Sequence, residues 1–351
     1  MNWGALLGLA LSLKLVGTLE VPKTLTVDGT PFGGISGVDY DQRSNEWLMI
    51  SDDRSDKAPA RFFVGRLDYD AHGVKGLQLT RQVSLRRDDG STFPATASPV
   101  GERADGEALR IDPRSSDLVW ATEGDSARGF DPAVRRMARD GTPKGAIPTP
   151  PAFRFDPAKT RGARPNLTFE GLSFSPDGRW LWLSMEAPLI QDGPVSSVAA
   201  GGVIRITRLD RSGHVAAQYA YRLDPIQAAP ARRGDNGISE ILALDGHQLL
   251  VLERSGVEDA RGRFSYHCRL YIVDVRSGED VANRASLSAA PARGLAKRLL
   301  VNFDRIPGAA ANLEAMAWGP LIAGRRTLAL FADDNFTAGE MQRVVVFAVD
   351  R

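Results

Sequence analysis

The chain has 351 residues, 43% of them hydrophobic and 25% charged, a make-up with room for two ordinary globular domains or one large repeat domain. A formal net charge of +1, with no basic stripe interleaved with aromatics, excludes a nucleic-acid footprint. The single cysteine, Cys268, excludes an internal disulfide and a thiolate metal cluster.

At the N-terminus, residues 3–13 are apolar over the length of a signal-peptide core and far too short to span a bilayer. No basic start and no Ala-x-Ala site accompany them. A truncated export leader over residues 1–12 and a frayed or misplaced start both stay open. Residues 13–21 then alternate as a strand, and one β domain is expected over residues 13–351.

Five units built on one plan follow. Each opens with an acidic or hydroxyl residue and a short alternating apolar run: Ser36-Gly37-Val38-Asp39-Tyr40, Glu107-Ala108-Leu109-Arg110-Ile111, Glu170-Gly171-Leu172-Ser173-Phe174, Glu240-Ile241-Leu242-Ala243-Leu244 and Glu314-Ala315-Met316-Ala317-Trp318. A polar turn leads into a second apolar run, which ends on an acid: Asp52/Asp53, Glu123, Glu186, Glu253 and Asp333/Asp334. Opener and closer stand 16 residues apart in the first three units, 13 in the fourth and 19 in the fifth, a variation that a turn absorbs. Short apolar runs bounded by such turns are hairpins.

A second strand pair follows the hairpin, seen best in residues 202–209 with 215–223, and again in 62–67 with 77–85 and 269–275 with 299–303. Four antiparallel strands per ~70 residues, without amphipathic helices, predict an all-β chain folded as a β-propeller whose blades exceed the usual ~40–45 residues. The fifth unit keeps only residues 343–349 after its hairpin, so residues 13–21 supply its last strand and close the ring, leaving no free sheet edge. Five blades result, or six if residues 124–155 hide a degenerate one. Trp47, Trp120, Trp180 and Trp182 are expected in the core between blades.

A hairpin returns to the end where it began, so each opener shares a rim with its closer, and up to ten acidic positions ring one channel mouth. Like charges there repel by roughly 1 kcal/mol in water and more at lower dielectric, so the ring calls for protons, arginines or metal ions. Oxygen donors suit Ca2+, or Mg2+, rather than zinc, and none of the histidines (His72, His214, His247, His267) opens or closes a unit. The expected metal ligands are Glu107, Glu123, Glu170, Glu186, Glu240, Glu253, Glu314, Asp52 and Asp333. Glu107, Glu170, Glu240 and Glu314 are also the catalytic candidates. Asp105, Asn166, Asn236 and Asn312 precede openers and offer further oxygens. Arg54, Arg128 and Arg254 follow closers, and Arg54 and Arg254 are expected to grip a small anionic or ester substrate. The competing reading leaves these acids purely structural, accepting backbone N–H bonds. No Gly-x-Ser-x-Gly elbow or phosphate-cradling loop is present.

Residues 32–41, Phe-Gly-Gly-Ile-Ser-Gly-Val-Asp-Tyr-Asp, with Ile50-Ser51-Asp52-Asp53-Arg54, resemble the opening of the phytase-like propellers, the "esterase-like activity of phytase" family. The run from Asn166 through Glu170 to Gly178, with Glu186, resembles its central signature. Asn236 to Glu240, Leu252-Glu253-Arg254, and Asn312 to Met316 with Asp333-Asp334-Asn335 resemble its later blocks. The resemblance spans roughly residues 13–351. It implies a bacterial protein exported to the periplasm or beyond, with a cytoplasmic location as the alternative. It also implies channel carboxylates that hold Ca2+ ions, which bind substrate phosphate and activate water. A lysine-rich phosphate site is missing, so phytate itself is not the expected substrate. The leading expectation is a calcium-dependent hydrolase of phosphate or carboxylic esters. The alternatives are a non-catalytic propeller that binds a ligand or partner protein, and a lactonase-like propeller with one ion.

Overall fold

Five four-stranded antiparallel sheets, set around one axis, make a five-bladed β-propeller in the computed structural model, which describes residues 11–350. Blade 1 comprises Ile35–Asp41, Glu46–Ser51, Arg61–Asp70 and Gly73–Ser84. Blade 2 comprises Gly106–Ile111, Leu118–Thr122, Ala133–Met137 and Pro143–Ile147. Phe169–Phe174, Leu181–Met185, Val203–Leu209 and Val215–Arg222 form blade 3. Gly234–Ala243, Gln248–Glu258, Phe264–Asp274 and Lys297–Asn302 form blade 4. Blade 5 joins Leu313–Ile322, Arg325–Ala332 and Arg343–Asp350 to the N-terminal strand Ser12–Glu20.

That last pairing runs from Ser12 opposite Asp350 to Glu20 opposite Arg343, so the two ends of the chain close the ring. Leu11 is already buried in the core, and residues 1–10 of the expected leader lie outside the described residues. The sixth blade does not exist, because residues 124–155 hold the two outer strands of blade 2 between single-turn helices at Ser126–Arg128 and Pro151–Phe153. Among the described residues no helix is long and apolar enough to cross a membrane.

The apolar core lies between blades. Trp47 packs on Phe331 of blade 5 with ring centroids 5.6 Å apart, Trp120 meets Phe93 edge-on at 5.9 Å, and Trp182 is fully buried. Trp180 departs from the expectation. It sits half-buried at a hairpin end beneath the Arg208 guanidinium, 4.8 Å from its ring. Cys268 is buried between blades 4 and 5, where burial pushes its thiol up to about 12, and His267 turns instead to Asp304 at 3.1 Å.

Every innermost hairpin carries a β-bulge at the same place. Pairing skips Ser36, Glu107, Glu170, Ser239 and Glu314 in blades 1 to 5. A bulge inserts one unpaired residue and re-aims its side chain. The residue that follows the partner of the position before each bulge is Asp52, Glu123, Glu186, Arg254 and Asp333; in blade 4 pairing continues past the bulge, with Arg254 opposite Gly237. The structural repeat therefore matches the expected openers and closers in four blades. In blade 4 it lies one residue away, on Ser239 and Arg254 instead of Glu240 and Glu253.

Two residues past each bulge, the five inner strands turn one carbonyl toward the axis. Arg110, which is buried, donates to all five: Val38, Leu109 at 3.0 Å, Leu172 at 2.6 Å, Ile241 at 3.4 Å and Met316 at 3.2 Å. A planar guanidinium within reach of the same carbonyl from five blades must stand on the axis. Its charge is matched by Glu240, whose Oε2 accepts from Nη2 at 2.5 Å.

Candidate metal centre

The bulged glutamates Glu107, Glu170 and Glu314 and the five residues across from the bulges line a cavity of about 970 Å3, whose wall holds eleven carboxylates and four arginines. Two buried carboxylate trios stand out: Asp105, Glu107 and Glu123, and Glu123, Glu170 and Glu186. Within each trio one oxygen from every side chain lies within 4.8 Å of the others, and Glu123 belongs to both. Asp52, Glu314 and Asp333 complete the mouth.

Two expected members are elsewhere. Glu240, one residue past its bulge, points at the hub, where it accepts from Arg110 and from the Leu172 and Ile241 amides at 3.1 and 2.8 Å. Glu253 is a paired strand residue facing outward from the mouth. It accepts from the Tyr221 hydroxyl at 2.6 Å, Lys297 at 2.6 Å, Asn236 at 2.9 Å and the Asp224 amide at 2.9 Å. Both are engaged away from the cavity, and neither stands with the mouth carboxylates as its spacing suggested. Arg128 is spent on the carbonyls of Gly101, Ser98 and Thr96. Asp53 and Asp334 also turn away: Asp53 pairs with Arg61 at 2.6 Å, and Asp334 accepts from the Gly34 amide at 3.1 Å.

The arginines expected in the mouth are there. Arg54 is ion-paired with Asp105 and donates to Asn166 Oδ1 at 2.7 Å. Arg254, in blade 4's closing position, donates to Glu186 at 2.6 Å and lies 3.6 Å from Glu314. Glu314 also accepts from Ser36 at 3.2 Å and from Asn312 at 2.9 Å, while Glu123 accepts from the Thr168 amide at 2.6 Å. These donors do not balance the charge. Burial, reinforced by neighbouring carboxylates, pushes Asp52, Glu107, Glu123, Glu170 and Asp333 well above the usual carboxylate range. Burial also raises Asp105 and Glu314 despite their arginines, and pushes Glu186 up to about 7.

The donor set fits a hard cation. It is all oxygen, no histidine lines the cavity, and Asp52 Oδ1 and Asn312 Oδ1 are buried acceptors without a hydrogen-bond partner. Sequence reasoning missed the upper wall. Blade 4 runs past the other blades, pairing Gly234 with Val257 and Glu258 with Phe264, and brings Asp235, Asp259, Arg233, Arg263, Phe264 and Tyr266 to the cavity. The length of its three inner strands was the available signal.

The profile of a family described as "Phytase-like: Esterase-like activity of phytase" matches residues 30–336. The chain belongs to this phytase-like family. Buried acidic clusters in a phytase-like propeller are compatible with a metal-dependent hydrolase. A search of curated proteins finds no match. Among solved structures, the phytase-like chain is similar to the catalytic domain of an α-L-arabinofuranosidase from Coprinopsis cinerea, at 11% identity over 97% of this chain and 96% of that one, TM-score 0.42. It is also similar to a mannose phosphorylase from Leishmania mexicana, at 9% identity, 95% and 88% coverage and TM-score 0.40. The Dos1 propeller matches at 8% identity, 91% and 68% coverage and TM-score 0.37. Likenesses this remote carry no argument about chemistry.

Proposed function

We propose that this phytase-like propeller is a calcium-dependent hydrolase of phosphate or carboxylic esters that works at the acidic mouth. The observation that carries the reading is the pair of buried carboxylate trios sharing Glu123. Crowded carboxylates with raised proton affinity are a poor resting state without a cation and a strong ligand set with one. Asp105, Glu107, Glu123, Glu170 and Glu186 would hold the ion or ions, with Asp52 and Asp333 beside them. Bound calcium supplies a Lewis acid for the ester oxygen and an acidified water. Arg54 and Arg254 place positive charge at the mouth, where an anionic head group binds and negative charge develops. Glu314, outside both trios and oriented by Ser36 and Asn312, is the carboxylate left to accept a proton.

The test is turnover of p-nitrophenyl phosphate and p-nitrophenyl acetate by metal-stripped protein with and without added calcium. Hydrolysis that needs calcium and disappears in Glu123→Gln supports the proposal, whereas hydrolysis that survives EDTA would sink it. Calcium-dependent stabilisation with no turnover on either ester would leave a ligand-binding propeller. A metal count by elemental analysis separates an ion cluster from the single ion of a lactonase-like site.

A further inference from the structure

Beside the acidic mouth lies a second cavity of about 800 Å3, within the range of about 300–1,000 Å3 typical of small-molecule sites. It is more apolar than the mouth, although Asp131, Asp156, Lys159 and Arg164 also line it. Ala127, Phe155, Ala163, Pro165, Leu167 and Val195 give it an apolar wall, built from the loop between the second and third strands of blade 2 and the loops on either side of the inner hairpin of blade 3. Val195 is 44% exposed, and Phe155 and Leu167 are only half-buried. Large apolar side chains gathered at a concave surface mark a place where apolar matter binds.

The groove adjoins the mouth. Leu167 lines both cavities. A small cleft of about 110 Å3 lies between them: it shares Arg54, Asp105 and Asn166 with the mouth and Ser126, Phe155 and Pro165 with the groove, and Arg103 and Asp125 line it as well. The Arg54 guanidinium, tied to Asp105 and Asn166, therefore stands where a head group entering from the groove would pass.

We propose that the groove takes the apolar tail of an amphiphilic ester or phosphoester whose polar head reaches the mouth past Arg54. The proposal rests on the reading of the mouth as an ester-hydrolysing site and narrows its substrate class. A short-chain ester would occupy the mouth alone, whereas each tail methylene drawn from water into the groove would tighten binding by about fourfold until the groove is filled.

The test separates the tail from the chemistry by using alkylphosphonates, which keep an anionic head and cannot be hydrolysed as esters. Binding of methyl-, butyl- and octylphosphonate to the calcium-loaded protein is measured by calorimetry, for the native chain and for Val195→Asp, a change at an exposed wall residue outside the mouth. Affinity that climbs steeply with chain length in the native protein, with the climb flattened in Val195→Asp and methylphosphonate unaffected, supports the groove. Equal affinity for all three phosphonates, no binding of any of them, or a climb that Val195→Asp leaves intact would overturn it. A parallel series of p-nitrophenyl esters distinguishes the two readings. Chain-dependent binding without turnover removes the hydrolase and keeps the groove, while turnover indifferent to chain length keeps the hydrolase and removes the groove.

Discussion

Glu123 is the one side chain shared by both carboxylate trios, so neutralising it takes an anionic ligand from each. Changes to residues that merely support a metal ligand already cost about 10–100-fold in affinity, so Glu123→Gln is expected to exceed that, and Glu314→Gln to fall well short of it, by calorimetric calcium titration. Glu240 makes the opposite prediction. Its carboxylate is consumed by Arg110 and two amides, so Glu240→Gln leaves calcium affinity unchanged. Removing its partner is costly. Arg110→Met strands a buried carboxylate and five inward carbonyls, and is expected to lower stability by about 3–5 kcal/mol or more in urea unfolding. A loss under about 1 kcal/mol would mean that the hub is not what holds the five inner strands together.

The hairpin is the scale at which the site could be read from sequence, and also where the reading slipped. In blades 1, 2, 3 and 5 the residue at the bulge (Ser36 in blade 1, a glutamate in the others) and the acid across from it fall where the spacing puts them. In blade 4, Ser239-Glu240 and Glu253-Arg254 each set an acid beside a different residue, and a bulge leaves no mark in the sequence that says which of the two is unpaired. One residue of register sends a side chain to the other face, so the acids went to the hub and to a flanking cluster while Ser239 and Arg254 took the repeat positions. Nature's substitution of a cation at the fourth closing position has a testable consequence. Arg254 opposes any bound cation, yet it is placed to hold an anionic substrate. Arg254→Gln is expected to tighten calcium binding several-fold while lowering kcat/KM for p-nitrophenyl phosphate. Both quantities falling together would instead assign Arg254 a purely scaffolding role.

At the scale of the whole molecule the architecture was legible because it is repeated: five alternating hairpins, three of them followed by a clear second strand pair and the last by a single strand, leave little choice but a propeller closed by the N-terminal strand. The hub was not legible, since Arg110 and its five carbonyls come together only once the ring has closed. A ring so closed also concentrates charge, and this ties stability to pH and calcium. Glu186 is pushed up to about 7 in the folded chain and returns to about 4.3 when unfolded, and the other mouth carboxylates shift in the same direction. Between those values the folded state holds protons that the unfolded state has lost, so the mouth's contribution to metal-free stability declines as pH rises through that window. Calcium requires the ionised carboxylates and so acts in the opposite sense, expelling protons as it binds. At about a thousand times its dissociation constant a ligand specific to the folded state adds about 4 kcal/mol, or about 5 °C in melting temperature for a chain of this size. The rise produced by saturating calcium is therefore expected to be larger at about pH 8 than at about pH 5.5, where protons compete for the same oxygens. Differential scanning calorimetry at the two pH values, with EDTA and with calcium, measures it. An equal rise at both would show that calcium binds somewhere other than this mouth.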